Sequence, residues 1–107
     1  MGVTRFDVYL VDLEPTVGSE IRKTRPCVVV SPDEMNQAIQ TVSVLPMTTG
    51  GRVYPTRIPC RFEDRDGLVL GDQIRTLDRS RLARKLGRLP ESARGPLLEV
   101  LRQMFAP

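Results

Sequence analysis

Histidine is missing from this 107-residue sequence, and that absence excludes more chemistry than any other feature of the composition. Without an imidazole the chain cannot form a Ser-His-Asp triad, a Cys-His pair or the usual zinc hydrolase site. The commonest general acid–base side chain is also unavailable. No glycine-rich phosphate loop of the P-loop or Rossmann type is present either. Any catalytic centre must therefore work without histidine and without a glycine-rich phosphate loop.

Cysteine and aromatic residues are scarce as well. The two cysteines, Cys27 and Cys60, lie in apolar or strand-like stretches, so we expect buried free thiols and neither a disulfide nor a metal site. Tryptophan is absent and only five residues are phenylalanine or tyrosine. Modules that hold single-stranded nucleic acid usually stack bases on aromatic rings. This composition argues against a pure binding module.

Long hydrophobic runs are also absent. No segment approaches the roughly 20 apolar residues that a membrane span requires, and the N-terminus lacks a signal-peptide pattern. We therefore expect a cytoplasmic protein without membrane contact. A chain of this length predicts one domain over 1–107 with a single modest core.

The positively charged residues are almost all arginine. Of the 16 cations 14 are arginine, a residue suited to bidentate phosphate binding, although a G+C-rich genome produces the same bias. The segment from Arg75 to Arg94 contains seven cationic residues and only two acidic ones. This basic stripe fits either a polyanion partner or an ordinary solvated surface. Four of its members are candidates for contacting such a polyanion: Arg79, Arg81, Arg84 and Lys85.

Short strands separated by turns dominate the rest of the pattern. Strands are predicted over 5–12, 25–31, 40–47, 56–62, 68–70 and 73–77, with turns at 48–51 and 66–67. Helical turns are predicted over 31–38 and 79–83. An apolar face at helical spacing predicts a closing helix over 96–105, with Pro96 in its first turn and 91–95 undecided. The pattern favours a small, strongly bent antiparallel sheet or barrel.

The junction between Gly18 and Val30 is the most informative segment. A polar loop with three cations and one carboxylate leads directly into the apolar run 27–30, which reads as a buried strand. Pro26 restricts Arg25 to extended backbone at the strand entrance, where its guanidinium can be aimed at a phosphate. An ion pair of Arg25 with Glu20 is the structural alternative. The acidic run 63–66 is interpreted as a solvated turn in preference to a cation site.

Three segments in register resemble the MazF/PemK family of toxins from bacterial toxin–antitoxin pairs. They are Gly18–Glu20 with Arg25–Pro32, Val44–Thr49, and Asp66–Asp78. The resemblance implies a mainly β fold, an SH3-like small β-barrel with a short helix and a C-terminal α-helix. It also implies a homodimer that cleaves single-stranded RNA without metal or cofactor. A MazE-like antitoxin with an acidic C-terminal tail would inhibit it, and their complex would bind operator DNA.

The same resemblance assigns the site residues. Catalysis falls on Arg25 and Thr48. Five further positions are implied substrate contacts: Ser19, Glu20, Thr49, Gln73 and Arg75. Asp72 is a second-rank acid or base, because the family branch that uses it has a histidine and an arginine where this chain has Ser19 and Leu70.

The expected chemistry is attack of the ribose 2′-OH on the adjacent phosphorus. Arg25 would bind the charge that develops on the phosphoryl oxygens, and Thr48 would hydrogen-bond a non-bridging oxygen. Glu20, Asp72 or water could take the proton. Thr48 could instead serve only its own turn, and Gln73 and Arg75 could be ordinary outward strand residues.

Two other functions compete with RNA cleavage. One is a non-catalytic poison on the same barrel, such as a gyrase-binding toxin, and the other is a binding module. A poison would not need Arg25 together with Thr48. If RNA is the substrate, the loop Gly50–Pro55 is expected to contribute to its selection.

Overall fold

The computed structural model describes residues 2–107 and is mainly β. Its seven strands are β1 Asp7–Asp12, β2 Thr24–Val29, β3 Thr41–Thr48, β4 Arg57–Phe62, β5 Arg65–Leu70, β6 Arg75–Asp78 and β7 Leu82–Arg88. Its two α-helices are α1 Asp33–Ala38 and α2 Glu91–Phe105, and 3-10 turns occupy Gly71–Gln73 and Arg79–Arg81. Within residues 2–107 no helix is long and apolar enough to cross a membrane.

The strands form one strongly bent antiparallel sheet. Its order is β4-β5-β3-β2-β1-β7, and β6 pairs with the first half of β3. The ends of the sheet approach each other, since a Cβ on Gly87 of β7 would lie 3.6 Å from Cζ of Phe62 on β4. In the part of the chain that the structure describes, however, β4 and β7 are not paired. The predicted mainly β fold with a closing helix is confirmed, but the sheet is open where a closed barrel was expected.

Apolar residues bury both faces of the central strands. Along β2 and its extension, Cys27 and Val29 belong to one buried cluster, while Val28 and Val30 belong to another that also contains Leu97 of α2. Successive strand residues point to opposite faces, so a strand covered on both sides has to be continuously apolar. This confirms the prediction that the run 27–30 is a buried strand.

The β4–β5 hairpin corrects one sequence prediction. A turn was expected at Asp66-Gly67, but both residues lie within β5, opposite Arg61 and Cys60. The turn is instead the pair Glu63-Asp64, whose φ angles are 51° and 61°. Two consecutive left-handed residues close a tight hairpin that suits the twist of the strands. Of the acidic run 63–66, Glu63 and Asp64 thus form the hairpin turn, and Asp66 lies in β5.

The C-terminal part of the chain departs from the prediction at two points. The sequence predicted one helical turn over 79–83 and no strand after it. In the structure a shorter 3-10 turn, Arg79–Arg81, leads into β7, and β7 pairs with β1. The helix α2 begins at Glu91, so Pro96 lies inside it and not in its first turn. Proline at that position lacks the N–H that would bond to the carbonyl of Ser92. The rest of α2 continues to Phe105, as predicted.

Candidate active site

The register of β2 and β3 explains how the two predicted catalytic residues come together. The pairs Cys27↔Pro46, Val28↔Leu45 and Val29↔Val44 are antiparallel. Continued by two residues, the same register sets Arg25 opposite Thr48. Residues directly opposite each other project from the same face of a sheet. Arg25 and Thr48 accordingly line one open cleft of about 550 Å³.

The β4–β5 hairpin forms the other wall of this cleft. Thr48 pairs with Leu68 of β5, and the preceding residue of β5, Gly67, passes very close to the end of β3. A Cβ on Gly67 would lie 2.4 Å from the backbone oxygen of Thr48, a distance that real Cβ atoms do not reach. Glycine is therefore needed at this position for the hairpin to close against Thr48.

The cleft carries an excess of positive charge. Its charged lining residues are Lys23, Arg25, Arg65 and Glu63, three cations and one carboxylate. An open cleft of this sign attracts polyanions. Phe62 adds an aromatic ring to the same wall. Sequence reasoning missed four of the residues that line the cleft. The misplaced turn explains this for Phe62, Glu63 and Arg65, which belong to the hairpin. For Lys23 the only signal was its place in the cationic loop before Arg25.

The Arg25 guanidinium is available to a ligand. Its Nε donates to the carbonyl of Arg22 at 3.2 Å, and among residues 2–107 no carboxylate forms a salt bridge with it. The ion pair with Glu20 considered above is not formed. Glu20 uses its Oε1 to accept a hydrogen bond from the Val17 backbone N–H at 2.6 Å. Arg25 therefore keeps its terminal N–H groups for the cleft.

The Thr48 hydroxyl can both accept and donate a hydrogen bond, and it acts as an acceptor within its own turn. Its Oγ1 accepts a hydrogen bond from the Gly50 N–H at 3.2 Å. A hydroxyl can accept and donate at the same time, so the Thr48 proton remains available for a bound oxygen. Thr49, the next residue, is exposed and also lines the cleft.

Most of the other predicted contact residues lie outside the cleft. Ser19 sits in the exposed β1–β2 loop, and Glu20 closes a turn of that loop. Gln73 accepts a hydrogen bond from the Ile21 N–H, and Arg75 donates to the carbonyl of Leu13. The structure thus brings Arg25, Thr48 and Thr49 together but not Ser19, Glu20, Gln73 or Arg75.

Asp72 is engaged in an ion pair away from the cleft. Its two carboxylate oxygens accept hydrogen bonds from Arg57 Nε at 3.0 Å and Arg57 Nη2 at 3.1 Å. The hydrogen bond from Arg57 holds the pKa of Asp72 below its ordinary value. Arg57 also lies 4.7 Å from the ring centroid of Tyr54. A carboxylate with a lowered pKa is a weaker base, so these contacts disfavour Asp72 as the proton acceptor.

The two thiols occupy different surroundings. Cys27 is fully buried, as predicted, and burial raises the pKa of its thiol to about 12. Cys60 is only partly buried and lines the cleft, which differs from the buried position expected for it. Burial raises the pKa of Cys60 as well. Since the thiolate is the nucleophilic form, neither cysteine suits nucleophilic chemistry.

The basic stripe from Arg75 to Arg94 is largely used inside the protein. Arg79 and Arg81 each donate to two backbone carbonyls. Arg88 and Lys85 both pair with the buried carboxylate of Asp7, at 2.7 Å and 3.4 Å. Arg84 is exposed. The stripe therefore stabilises the fold more than it offers free cations, which weakens its interpretation as an RNA-binding surface.

On a small bent β-sheet with a closing helix, an open cationic cleft holds the Arg25 guanidinium and the Thr48 hydroxyl together. A β protein with such a cleft is suited to bind a polyanion. Comparison with known families makes this more specific. A family model described as "PemK-like, MazF-like toxin of type II toxin-antitoxin system" matches residues 4–105. The chain belongs to this family, which confirms the resemblance drawn from the three sequence segments.

Individual relatives agree with that assignment. "Endoribonuclease MazF" of Staphylococcus epidermidis is 41% identical over 98 residues, which cover 84% of this chain and 80% of the relative. A crystal structure of MazF from Deinococcus radiodurans superposes with a TM-score of 0.84 at 25% identity, over 97% of this chain and 96% of that one. An endoribonuclease in complex with its cognate antitoxin, from a mycobacterial species, gives 0.82 at 25% identity, over 98% and 97%.

Proposed function

We propose that this chain is the toxin of a type II toxin–antitoxin pair and acts as a sequence-specific endoribonuclease on single-stranded RNA, without metal. The observation that supports this most strongly is the shared cleft of Arg25 and Thr48, with its excess of positive charge. The 41% identical relative is itself named an endoribonuclease. A non-catalytic poison would have no use for this pairing of guanidinium and hydroxyl.

The proposed reaction uses the substrate's own ribose as the nucleophile. The 2′-OH loses its proton and its oxygen forms a bond to phosphorus, while the bond from phosphorus to the 5′-oxygen breaks. The departing 5′-oxygen takes a proton from water, and the products are a 2′,3′-cyclic phosphate and a 5′-hydroxyl. Arg25 binds the negative charge that grows on the phosphoryl oxygens. The hydroxyl of Thr48 donates a hydrogen bond to a non-bridging oxygen. Both groups act more strongly on the transition state than on the ground state.

The 2′-OH must also lose a proton. Arginine side chains in proteins are not deprotonated, so another group must accept this proton. Glu63 is a carboxylate that lines the cleft, and we assign the proton to it or to water, in preference to Glu20 and Asp72. Among residues 2–107 no group of three or more acidic, cysteine or histidine side chains is arranged to hold a metal ion.

The remaining proposals concern the surroundings of the enzyme. The chain would act as one domain over 1–107, in a cytoplasmic homodimer. Its partner would be an antitoxin with an acidic tail, since a cationic cleft suits an acidic peptide as well as RNA. The antitoxin complex would bind operator DNA. A solved relative in complex with its cognate antitoxin supports such a partner.

The proposed activity is tested with a synthetic single-stranded RNA incubated with purified protein and an excess of EDTA. Cleavage is expected to proceed at the same rate with and without the chelator, because no step uses a metal ion. A DNA strand of the same sequence is the control and is expected to stay intact. Cleavage that requires added Mg²⁺ would contradict the proposal.

A further inference from the structure

The β1–β2 loop, residues 13–23, leads directly into the cleft. It ends at Lys23, which lines the cleft next to Thr24 and Arg25. Lys23 has a φ of 73°, a left-handed conformation that is uncommon for a residue with a side chain. Such a conformation persists only where the surrounding structure imposes it. The contacts that hold this loop therefore bear on the position of Arg25.

Three side chains from the later part of the chain reach this loop. Gln73 Oε1 accepts a hydrogen bond from the Ile21 N–H at 2.7 Å. Arg75 Nη1 donates to the Leu13 carbonyl at 2.5 Å. Arg81 Nη1 donates to the carbonyls of Asp12 and Glu14, at 2.9 Å and 2.7 Å. We call Gln73, Arg75 and Arg81 the loop clamp.

The clamp holds the loop at both ends. Arg75 and Arg81 bind its beginning, and Gln73 binds it two residues before Lys23. A backbone hydrogen bond from the Leu13 N–H to the Lys23 carbonyl at 3.1 Å joins the two ends. The side chain of Leu13 is fully buried, and Ile21 packs against the same apolar cluster. The ends are thus fixed, while Val17 near the tip is 78% exposed.

We propose that the loop clamp positions the Lys23–Arg25 segment for RNA cleavage, so that Gln73 and Arg75 are positioning residues and not substrate contacts. The proposal rests on the proposed function of the cleft. It follows from the use of the Gln73 carboxamide oxygen and the Arg75 guanidinium inside the protein, and from their absence from the residues that line the cleft. Donors and acceptors already paired within a rigid element hold a site in its productive geometry.

Amide hydrogen exchange of the free protein tests the Gln73 contact without any substrate. In Gln73→Ala the Ile21 amide is expected to exchange about five- to tenfold faster, since one hydrogen bond that protects it is lost. In Gln73→Glu it should exchange as in the wild type, because the carboxylate still accepts. Gln37→Ala, at an exposed glutamine of α1, is the matched control. Unchanged exchange in Gln73→Ala would overturn the proposal.

Cleavage rates of the same variants test the consequence for the site. Turnover in Gln73→Ala is expected to fall about five- to tenfold, with an unchanged denaturation midpoint, while Gln73→Glu retains the wild-type rate. A direct RNA contact predicts the opposite order, because a new negative charge at position 73 would repel phosphate. A lower rate in Gln73→Glu than in Gln73→Ala, or faster loop exchange with an unchanged rate, would refute a positioning role.

Substitution of Arg81 provides a second test of the loop clamp. Arg81→Ala is expected to speed amide exchange across the loop and to lower turnover, whereas Arg102→Ala removes the same charge from an exposed side chain of α2, outside the cleft, and should do neither. Equal effects of the two variants on turnover would show that charge alone matters and would contradict the clamp. If the wild-type protein cut no RNA, the proposed function would fail, while the exchange measurement would still decide whether the clamp forms.

Discussion

Replacing Arg25 with alanine is expected to lower the rate of RNA cleavage by about 10²–10³-fold. The guanidinium is the cleft cation that stands opposite Thr48 by the register of β2 and β3, and among residues 2–107 it has no carboxylate partner. Its removal takes away charge that the transition state needs more than the bound substrate does. The loss should therefore appear in turnover more than in affinity.

The fold should survive this substitution. The side chain of Arg25 makes one hydrogen bond within the protein, to the Arg22 carbonyl. Arg25→Lys keeps the charge but not the planar fork of donors, so an intermediate rate is expected. Arg102→Ala, on the exposed side of α2, serves as the control for a change of net charge. Unfolding of Arg25→Ala, or an equal loss of rate in Arg102→Ala, would contradict a catalytic role for this guanidinium.

The substitution Gly67→Ala is expected to damage the cleft without touching any charged group. The added Cβ would lie 2.4 Å from the Thr48 carbonyl oxygen, and a backbone atom cannot move aside as the end of a side chain can. Overpacking of this kind costs about 1–3 kcal/mol of stability. A displacement of about 1 Å at a catalytic group can cost about a hundredfold in rate. Urea denaturation and single-turnover cleavage measure the two effects.

Gly95→Ala is the matched control for this substitution. A Cβ on Gly95 meets no atom within 4 Å. The change replaces glycine by alanine within α2, which favours the helix by up to about 1 kcal/mol. Its cleavage rate should equal that of the wild type. A fully active Gly67→Ala protein would show that β5 does not press on Thr48 as described.

The sequence was sufficient to predict the features that depend on local chemistry. The apolar run 27–30 could be buried only as a strand covered on both faces, and Pro26 restricted Arg25 to extended backbone. The resemblance to the toxin family, and not the residues alone, predicted that Arg25 and Thr48 belong to one site. In the structure both side chains line one cleft.

The β4–β5 hairpin was not accessible in the same way. Asp-Gly is a strong turn signal, so the sequence predicts a turn at Asp66-Gly67 and not where the structure has it, at Glu63-Asp64. The structure instead needs Gly67 for its lack of a side chain beside Thr48, a requirement set by another strand. The roles of Gln73 and Arg75 depend likewise on loop contacts 52 and 62 residues away along the chain. Residue type and spacing carry no information about such contacts.

The strand β7 was missed for a different reason. It contains three cations, Arg84, Lys85 and Arg88, and little apolar alternation, so no period of two was visible. Lys85 and Arg88 are accommodated because both pair with Asp7, a buried carboxylate at the start of β1. Of the seven cations in the basic stripe, Lys85 and Arg88 belong to this ion-pair network, while Arg79 and Arg81 bind backbone carbonyls.

The most direct test of the proposed chemistry changes one atom of the substrate. A single 2′-deoxy sugar placed on the 5′ side of the cleaved phosphodiester removes the nucleophile and leaves every protein contact in place. Because Arg25 and Thr48 still contact the phosphate, the RNA with this substitution should bind with similar affinity and resist cleavage completely, while the all-ribose strand yields a cyclic phosphate and a 5′-hydroxyl. Efficient cleavage of the deoxy-substituted strand at that position would contradict attack by the 2′-hydroxyl in the Arg25–Thr48 cleft.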